Sequence, residues 1–146
     1  MLKGMDPRLS PEVLYLLARM GHGDSVAVVD ANYPAYSMGV PVLRMDGLDA
    51  AQAVEVITSV MPLDRFVEHP VRYMVDKPGE PLREAARAVM EAAEKAEGRT
   101  IDGGGLERMA FYDEGRKTQG IIVTAETRSY GDFLLTKGTW PEFDPD

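Results

Sequence analysis

Ser25-Val26-Ala27-Val28-Val29-Asp30 is a run of small and β-branched residues with no polar–apolar alternation, closed by an acid. A segment this short and apolar on both faces reads as a strand buried inside a sheet. Upstream, Ser10-Pro11-Glu12 opens a helix, with serine as N-cap, proline at the first helical position and an acid in the first turn. Val13, Leu14, Leu16, Leu17 and Met20 give that helix one apolar face. Gly21 or Gly23 is predicted to end it, because glycine takes the left-handed cap conformation without strain.

Downstream, Asn32-Tyr33-Pro34 marks a loop, and residues 40–45 form a second strand that Pro41 restricts to an end or an edge. Residues 48–60 read as a helix presenting Val54, Ile57 and Val60 or Met61, and Val71–Val75 as a strand stopped by Lys77-Pro78-Gly79. Pro81 starts a helix over residues 82–97, with Ala85, Ala86, Val89, Met90 and Ala93 on one side. Gly103-Gly104-Gly105 reads as a flexible loop, residues 107–118 as a helix, and residues 120–124 and Phe133–Thr136 as strands. Helices alternating with short apolar strands indicate α/β layering.

The chain has 146 residues, about one domain's worth. We expect one domain over residues 1–140 and an acidic, proline-containing tail over 141–146 that joins neither sheet nor helix. Sixteen Lys+Arg against 24 Asp+Glu give a net charge of −8, which works against binding nucleic acid or an anionic membrane. With no cysteine, disulfides and thiol nucleophiles are excluded. The N-terminus does not read as a signal peptide, and no apolar run approaches the roughly 18 residues of a membrane span. The expected location is the cytoplasm.

His22 lies between two glycines where a helix hands over to a strand. Imidazole, with an ordinary pKa of about 6.5, both gives and takes protons near neutrality. The bland alternative is a histidine closing the helix C-terminus. Its lack of side-chain neighbours suggests that its removal spares the fold. Asp30 ends the apolar strand, where ligands gather in α/β sheets, although it could equally cap the adjoining turn. Arg108 and Tyr112 share a helix face, with surface pairing of Arg108 to Glu107, Asp113 or Glu114 as the alternative. Ser129-Tyr130-Gly131-Asp132 forms a tight turn between strands, and the loop from Ala31 to Ser37 offers Asn32, Tyr33 and Tyr36 to a small polar ligand.

Two motifs fail. Gly21-His22-Gly23 precedes its strand and lacks the third glycine of a dinucleotide fingerprint, and the glycine triplet lacks the Lys-Ser/Thr of a phosphate loop. A metal set of His22, Asp24 and Asp30 is a distant reading, and no metal or other cofactor is expected. His69 has no acidic partner at regular spacing and reads as a surface residue.

Taken in chain order, these pieces resemble the D-ribose pyranase / L-fucose mutarotase family. The match runs through Leu9-Ser10-Pro11-Glu12, Met20-Gly21-His22-Gly23-Asp24 and Asp30-Ala31-Asn32-Tyr33-Pro34-Ala35. It continues through Arg44-Met45-Asp46-Gly47-Leu48, Ala110-Phe111-Tyr112, Thr124-Ala125-Glu126 and Tyr130-Gly131-Asp132-Phe133-Leu134-Leu135-Thr136-Lys137-Gly138. The Phe-Tyr pair and the Tyr-Gly turn bring it closer to the fucose branch.

The resemblance implies a three-layer α/β/α sandwich, assembled into homo-oligomeric rings, commonly decamers of two pentamers, with the sugar in a cleft near subunit boundaries. It implies an isomerase that interconverts the anomers of L-fucose, ribose or a similar monosaccharide without a cofactor. His22 would transfer protons, while Asp30, Arg108, Tyr130, Gly131 and Asp132 would bind the sugar. Tyr36 stands where relatives usually have histidine and Asp132 where asparagine is usual. The second change is expected to exchange a donor–acceptor for an acceptor. The competing reading is a non-catalytic sugar-binding accessory of a transport or catabolic system.

Overall fold

Along β1 (Ser25–Val29), alternate side chains enter two different cores. In the computed structural model, which describes residues 1–145, Val26 and Val28 pack into one and Ala27 and Val29 into the other. The first core is shared with α1 (Pro11–Arg19), α2 (Ala50–Thr58) and α3 (Glu84–Glu97). The second is closed by α4 (Arg108–Gly115) and a short 3-10 turn at Ala35–Ser37. Helices therefore cover both faces of the sheet, three on one side and one on the other, giving the expected three layers.

The sheet has six strands in the order β2-β5-β1-β6-β3-β4. They comprise β1, β2 (Val42–Met45), β3 (Val71–Val75), β4 (Gly103–Glu107), β5 (Ile121–Thr124) and β6 (Phe133–Thr136). β6 alone is antiparallel to its neighbours, with Ser25 opposite Thr136 and Val28 opposite Phe133. One rim therefore gathers the segments leaving β1, β3, β4 and β5 together with the segment entering β6. The opposite rim gathers the segment entering β1 and the segment leaving β6.

Local chemistry explains most element boundaries. Ser10 Oγ accepts the Val13 N–H at 3.2 Å, as a capping serine should. The end of α1 differs from the expectation: Met20 leaves in an extended conformation, and no glycine cap is used. Lys137 makes this workable, because its ammonium donates to Leu17 O and Met20 O at 2.8 and 2.6 Å. It satisfies final carbonyls that a glycine-capped turn would otherwise bind. Asp49 and Gln52 form a capping box that starts α2 two residues later than predicted, and Ser59 ends it, leaving Val60 exposed and Met61 buried. Arg83 is extended, so α3 begins at Glu84 rather than at residue 82.

The clearest correction concerns Gly103-Gly104-Gly105, which is an edge strand and not a loop. Its ladder with β3 pairs Val71 with Gly103 through Val75 with Glu107. A Cβ on Gly103 would lie 2.9 Å from Tyr73 Cε1, and one on Gly104 would lie 2.7 Å from His69 Cγ. The glycines make room for side chains that lie across the strand. Residues 141–145 join neither helix nor strand, and Asp146 lies outside the described residues. This segment folds back, with Glu142 on Arg65 at 2.8 Å and the Phe143 ring stacked on Phe66. No helix among the described residues is long and apolar enough to cross a membrane.

Candidate active site

At the rim where β1 ends, the register that pairs Val28 with Phe133 brings Asp132, just before β6, within hydrogen-bonding reach of Asp30, just after β1. Asp132 Oδ1 accepts the Asp30 backbone N–H at 2.9 Å, and Asp30 Oδ1 accepts the Asn32 N–H at 2.9 Å. Asp30 thus caps the turn with one oxygen while its carboxyl still belongs to the rim. Both residues are more than nine-tenths buried, at 8% and 3% exposure. Burial, and then the Asp30 carboxyl beside it, push the Asp132 carboxyl well above the ordinary carboxylate range.

These acids, with Asn32, Tyr33, Met74, Arg108, Tyr112, Ser129 and Tyr130, line a cavity of about 220 Å³. Arg108 and Tyr112 enter it from one face of α4, as their spacing suggests. The surface-pairing alternative for Arg108 is not taken: Asp113 pairs with Arg116, and Glu114 with Arg72 and Lys117. Tyr130, in the left-handed region at φ 57°, donates its hydroxyl to Asp76 at 3.1 Å and lies under the Arg83 guanidinium, 4.1 Å away. Of the loop tyrosines, Tyr33 lines the cavity, whereas Tyr36 is exposed and does not.

Gly131 does not itself line the cavity; it joins Tyr130 and Asp132, which form one wall, and is closely packed. A Cβ there would sit 2.5 Å from Glu126 Cγ and 3.5 Å from Asp30 Cβ. Glu126, which sequence reasoning did not single out beyond the resemblance, is the anchor behind this wall. Only 2% exposed, it accepts from Arg128 Nε and Nη2 at 2.9 and 2.8 Å, from Arg128 N at 2.8 Å and from Ala50 N at 3.2 Å. Its hydrogen bonds to the Arg128 guanidinium hold its carboxyl down at about 2. An acid two residues before an arginine, just past a buried strand, was the available signal.

His22 lies at the other rim. Its Nε2 is 2.8 Å from Asp64 Oδ1, and its ring centroid is 5.3 Å from that of Phe66. Asp64 is 1% exposed and also accepts the Val67 N–H, so the expectation of an imidazole without side-chain neighbours is corrected. A carboxylate only accepts, so neutral His22 must carry its proton on Nε2 and present the Nδ1 lone pair. The side chain remains 45% exposed.

His22 precedes β1 and Asp30 lies beyond its other end, so one chain does not bring the imidazole to the cavity. At about 3.3 Å per residue, the strand keeps them roughly 20 Å apart. The set His22, Asp24 and Asp30 is likewise not gathered, and Asp24 Oδ2 instead accepts the Gly21 N–H at 2.8 Å. His69 does have an acidic neighbour, Asp102 at 3.5 Å, supplied by tertiary structure rather than by spacing.

The model of the RbsD / FucU transport protein family matches residues 3–140. An L-fucose mutarotase from Actinobacillus pleuropneumoniae serotype 5b is 37% identical over 142 residues, spanning 97% of this chain and 99% of that protein. The crystal structure of the fucose mutarotase in complex with L-fucose from Streptococcus pneumoniae superimposes with a TM-score of 0.84 at 30% identity, covering 94% of this chain and 99% of that one. Bacillus subtilis RbsD complexed with D-ribose shares the fold, with a TM-score of 0.76 at 20% identity over 95% and 98% of the two chains. A match of this extent, in sequence and in fold, means that the chain belongs to the RbsD / FucU transport protein family.

Proposed function

We propose that this chain is a monosaccharide mutarotase, acting on L-fucose or a close relative, whose site is completed by His22 of a second copy. The observation that carries the reading is the cavity at the Asp30 rim. Its donor and acceptor groups suit a polyhydroxylated ring, in a chain that is similar along nearly its whole length to a mutarotase solved with L-fucose. The position of His22 at the opposite rim supports a site shared between copies. Phe66 and Phe143, exposed and stacked beside His22, make that rim an apolar surface suited to burial by a neighbour. A contact joining one rim to the opposite rim of the next copy is head-to-tail, and when repeated it closes into a ring provided the rotation between copies closes.

Anomer exchange opens the hemiacetal and recloses it on the other carbonyl face. His22 Nδ1 takes the anomeric hydroxyl proton as the C1–ring oxygen bond breaks, and the ring oxygen is protonated from the cavity side. Closure runs the same transfers in reverse. No oxidation state changes, and a positioned acid or base contributes roughly 10²–10⁴-fold. Arg108 and Asp30 orient hydroxyls and steady charge as it develops on oxygen.

Saturation-transfer NMR between fucose anomers tests this. Added protein should accelerate exchange, and His22→Gln should remove the acceleration. Sugar binding with no acceleration by the wild type would instead establish the accessory reading, which the family's description as transport proteins favours.

A further inference from the structure

We propose that Asp30 and Asp132 hold a single proton between them at neutral pH, so that Asp132 meets the ligand as a neutral carboxylic acid able to donate as well as accept. Both side chains are more than nine-tenths buried at one cavity. The bond from the Asp30 N–H to Asp132 Oδ1 locks the two acids together. Among the described residues no cation bonds either carboxyl. Arg128 is spent on Glu126, and Arg83 on Glu80 and the Tyr130 ring. Two adjacent, largely buried carboxylates with no cation bonded to either resist ionising together, and a neutral carboxylic acid retained at neutral pH can donate a hydrogen bond.

Several elements face the pair. Arg108 and Tyr112 come from α4, Tyr33 from the loop after β1, and Tyr130 from the turn before β6. Glu126 stands behind Gly131, and its negative charge works in the same direction as that of Asp30. The backbone N–H groups of Asp30 and Asn32, bonded to Asp132 and Asp30 in turn, favour ionisation, whereas Arg108 lines the cavity but makes no ion pair with either acid. Burial and the neighbouring negative charges oppose them. Met74 contributes its backbone N–H to the Asp132 carbonyl at 3.0 Å and no charge. On this proposal Asp132 donates as well as accepts, in place of the acceptor that the sequence suggests. The shared proton gives the cavity one hydrogen-bond donor, which it loses in alkali, and burial raises the Asp132 carboxyl in the same sense.

This inference rests on the mutarotase reading for the ligand's identity but not for the proton, and the experiment separates the two. First, carbon-13 NMR of the aspartate carboxyls in the full wild-type chain should show one of the pair still protonated at neutral pH and titrating only in alkali. Second, Asp132→Asn should become more stable relative to wild type as pH climbs from the ordinary carboxylate range through neutrality. Over that window the native wild type must retain a proton that the unfolded chain has released. Third, calorimetry with L-fucose should show wild-type affinity falling up to tenfold per pH unit beyond the alkaline titration, while Asp132→Asn loses this fall. Both carboxyls ionised below neutrality, or a stability gap independent of pH, would overturn the inference. If fucose fails to bind while the first two results hold, the proton stands and the assignment of the ligand falls.

Discussion

Two inactive variants should restore each other. His22→Gln keeps an amide near Asp64 but removes the titrating group, and Asp30→Asn disables the cavity. The glutamine is chosen because truncation to alanine would leave the 1%-exposed Asp64 carboxylate without its imidazole. That loss costs about 1–3 kcal/mol, so the alanine variant would mix a stability effect with the loss of the imidazole. If each site takes its cavity from one copy and its imidazole from the next, a co-expressed equal mixture assembles at random. Half the cavities then belong to the His22→Gln copies, half of those face an intact His22, and about a quarter of all sites are functional whatever the ring size. His22→Gln, lacking its proton acceptor, should fall to about 1% of wild type or less, and Asp30→Asn, with its sugar misplaced, by about the same factor. The mixture should therefore exceed either parent by about 25-fold or more in anomer exchange measured by saturation transfer. A control sharpens the result: wild type co-expressed with the double variant should retain about a quarter of wild-type activity if sites are shared, and about half if each copy is complete. Retention of half, with no recovery from the paired variants, would refute the shared site.

Glu126→Gln should destabilise the chain by up to about 3.5 kcal/mol at neutral pH, since one pKa unit is worth about 1.4 kcal/mol. The carboxyl is held at about 2 against an ordinary 4.5. Its contribution is full above the ordinary value and is lost as pH falls through about 2, so the gap between variant and wild type, roughly 5–10 °C in melting temperature, should close in acid. Scanning calorimetry that found an unchanged gap down to the acid limit would remove the ion pair as its cause. Gly131→Ala should place its Cβ against Glu126 Cγ, 2.5 Å away, while the Glu126 carboxylate is pinned by four hydrogen bonds and cannot retreat. Overpacking of this kind costs about 1–3 kcal/mol and should weaken fucose binding about tenfold as the wall is displaced. Wild-type affinity in that variant would show that the wall does not touch the sugar.

The fold was legible wherever local chemistry and tertiary demand agree. The β-branched run at Val26–Val29 is buried on both faces because its composition suits nothing else, and Ser10 caps α1 as its side chain dictates. Gly103-Gly104-Gly105 misled for the opposite reason. Three glycines carry no local preference for a strand, and theirs is imposed by Tyr73 and His69 leaning across them. The cavity was legible as separate residues, since a strand end, a helix face and a tight turn each leave a local signature. Two relations were not. Asp64 lies 42 positions from His22 and Asp132 lies 102 from Asp30, so neither the hydrogen bond that fixes the imidazole tautomer nor the shared proton has any trace at short range.

The proposed division of the chemistry between the opposite rims of two copies has a physical logic of its own. An imidazole held through Nε2 by a buried carboxylate is set in orientation and tautomer before any sugar arrives, because Asp64 is fixed by the fold and not by the ligand. The cavity is preformed in the same way, its wall braced by Glu126 and its floor by the Asp30–Asp132 contact. Each half is open to water on a single copy, where a proton lost by the sugar exchanges with solvent. In the proposed assembly, the covering copy would displace water from between two parts that are already organised, and the electrostatic contacts inside would strengthen as the local dielectric falls. If the site is shared as proposed, assembly is a requirement of the reaction itself: one copy would supply the proton acceptor and the next the cavity, and the contact between them would make one site.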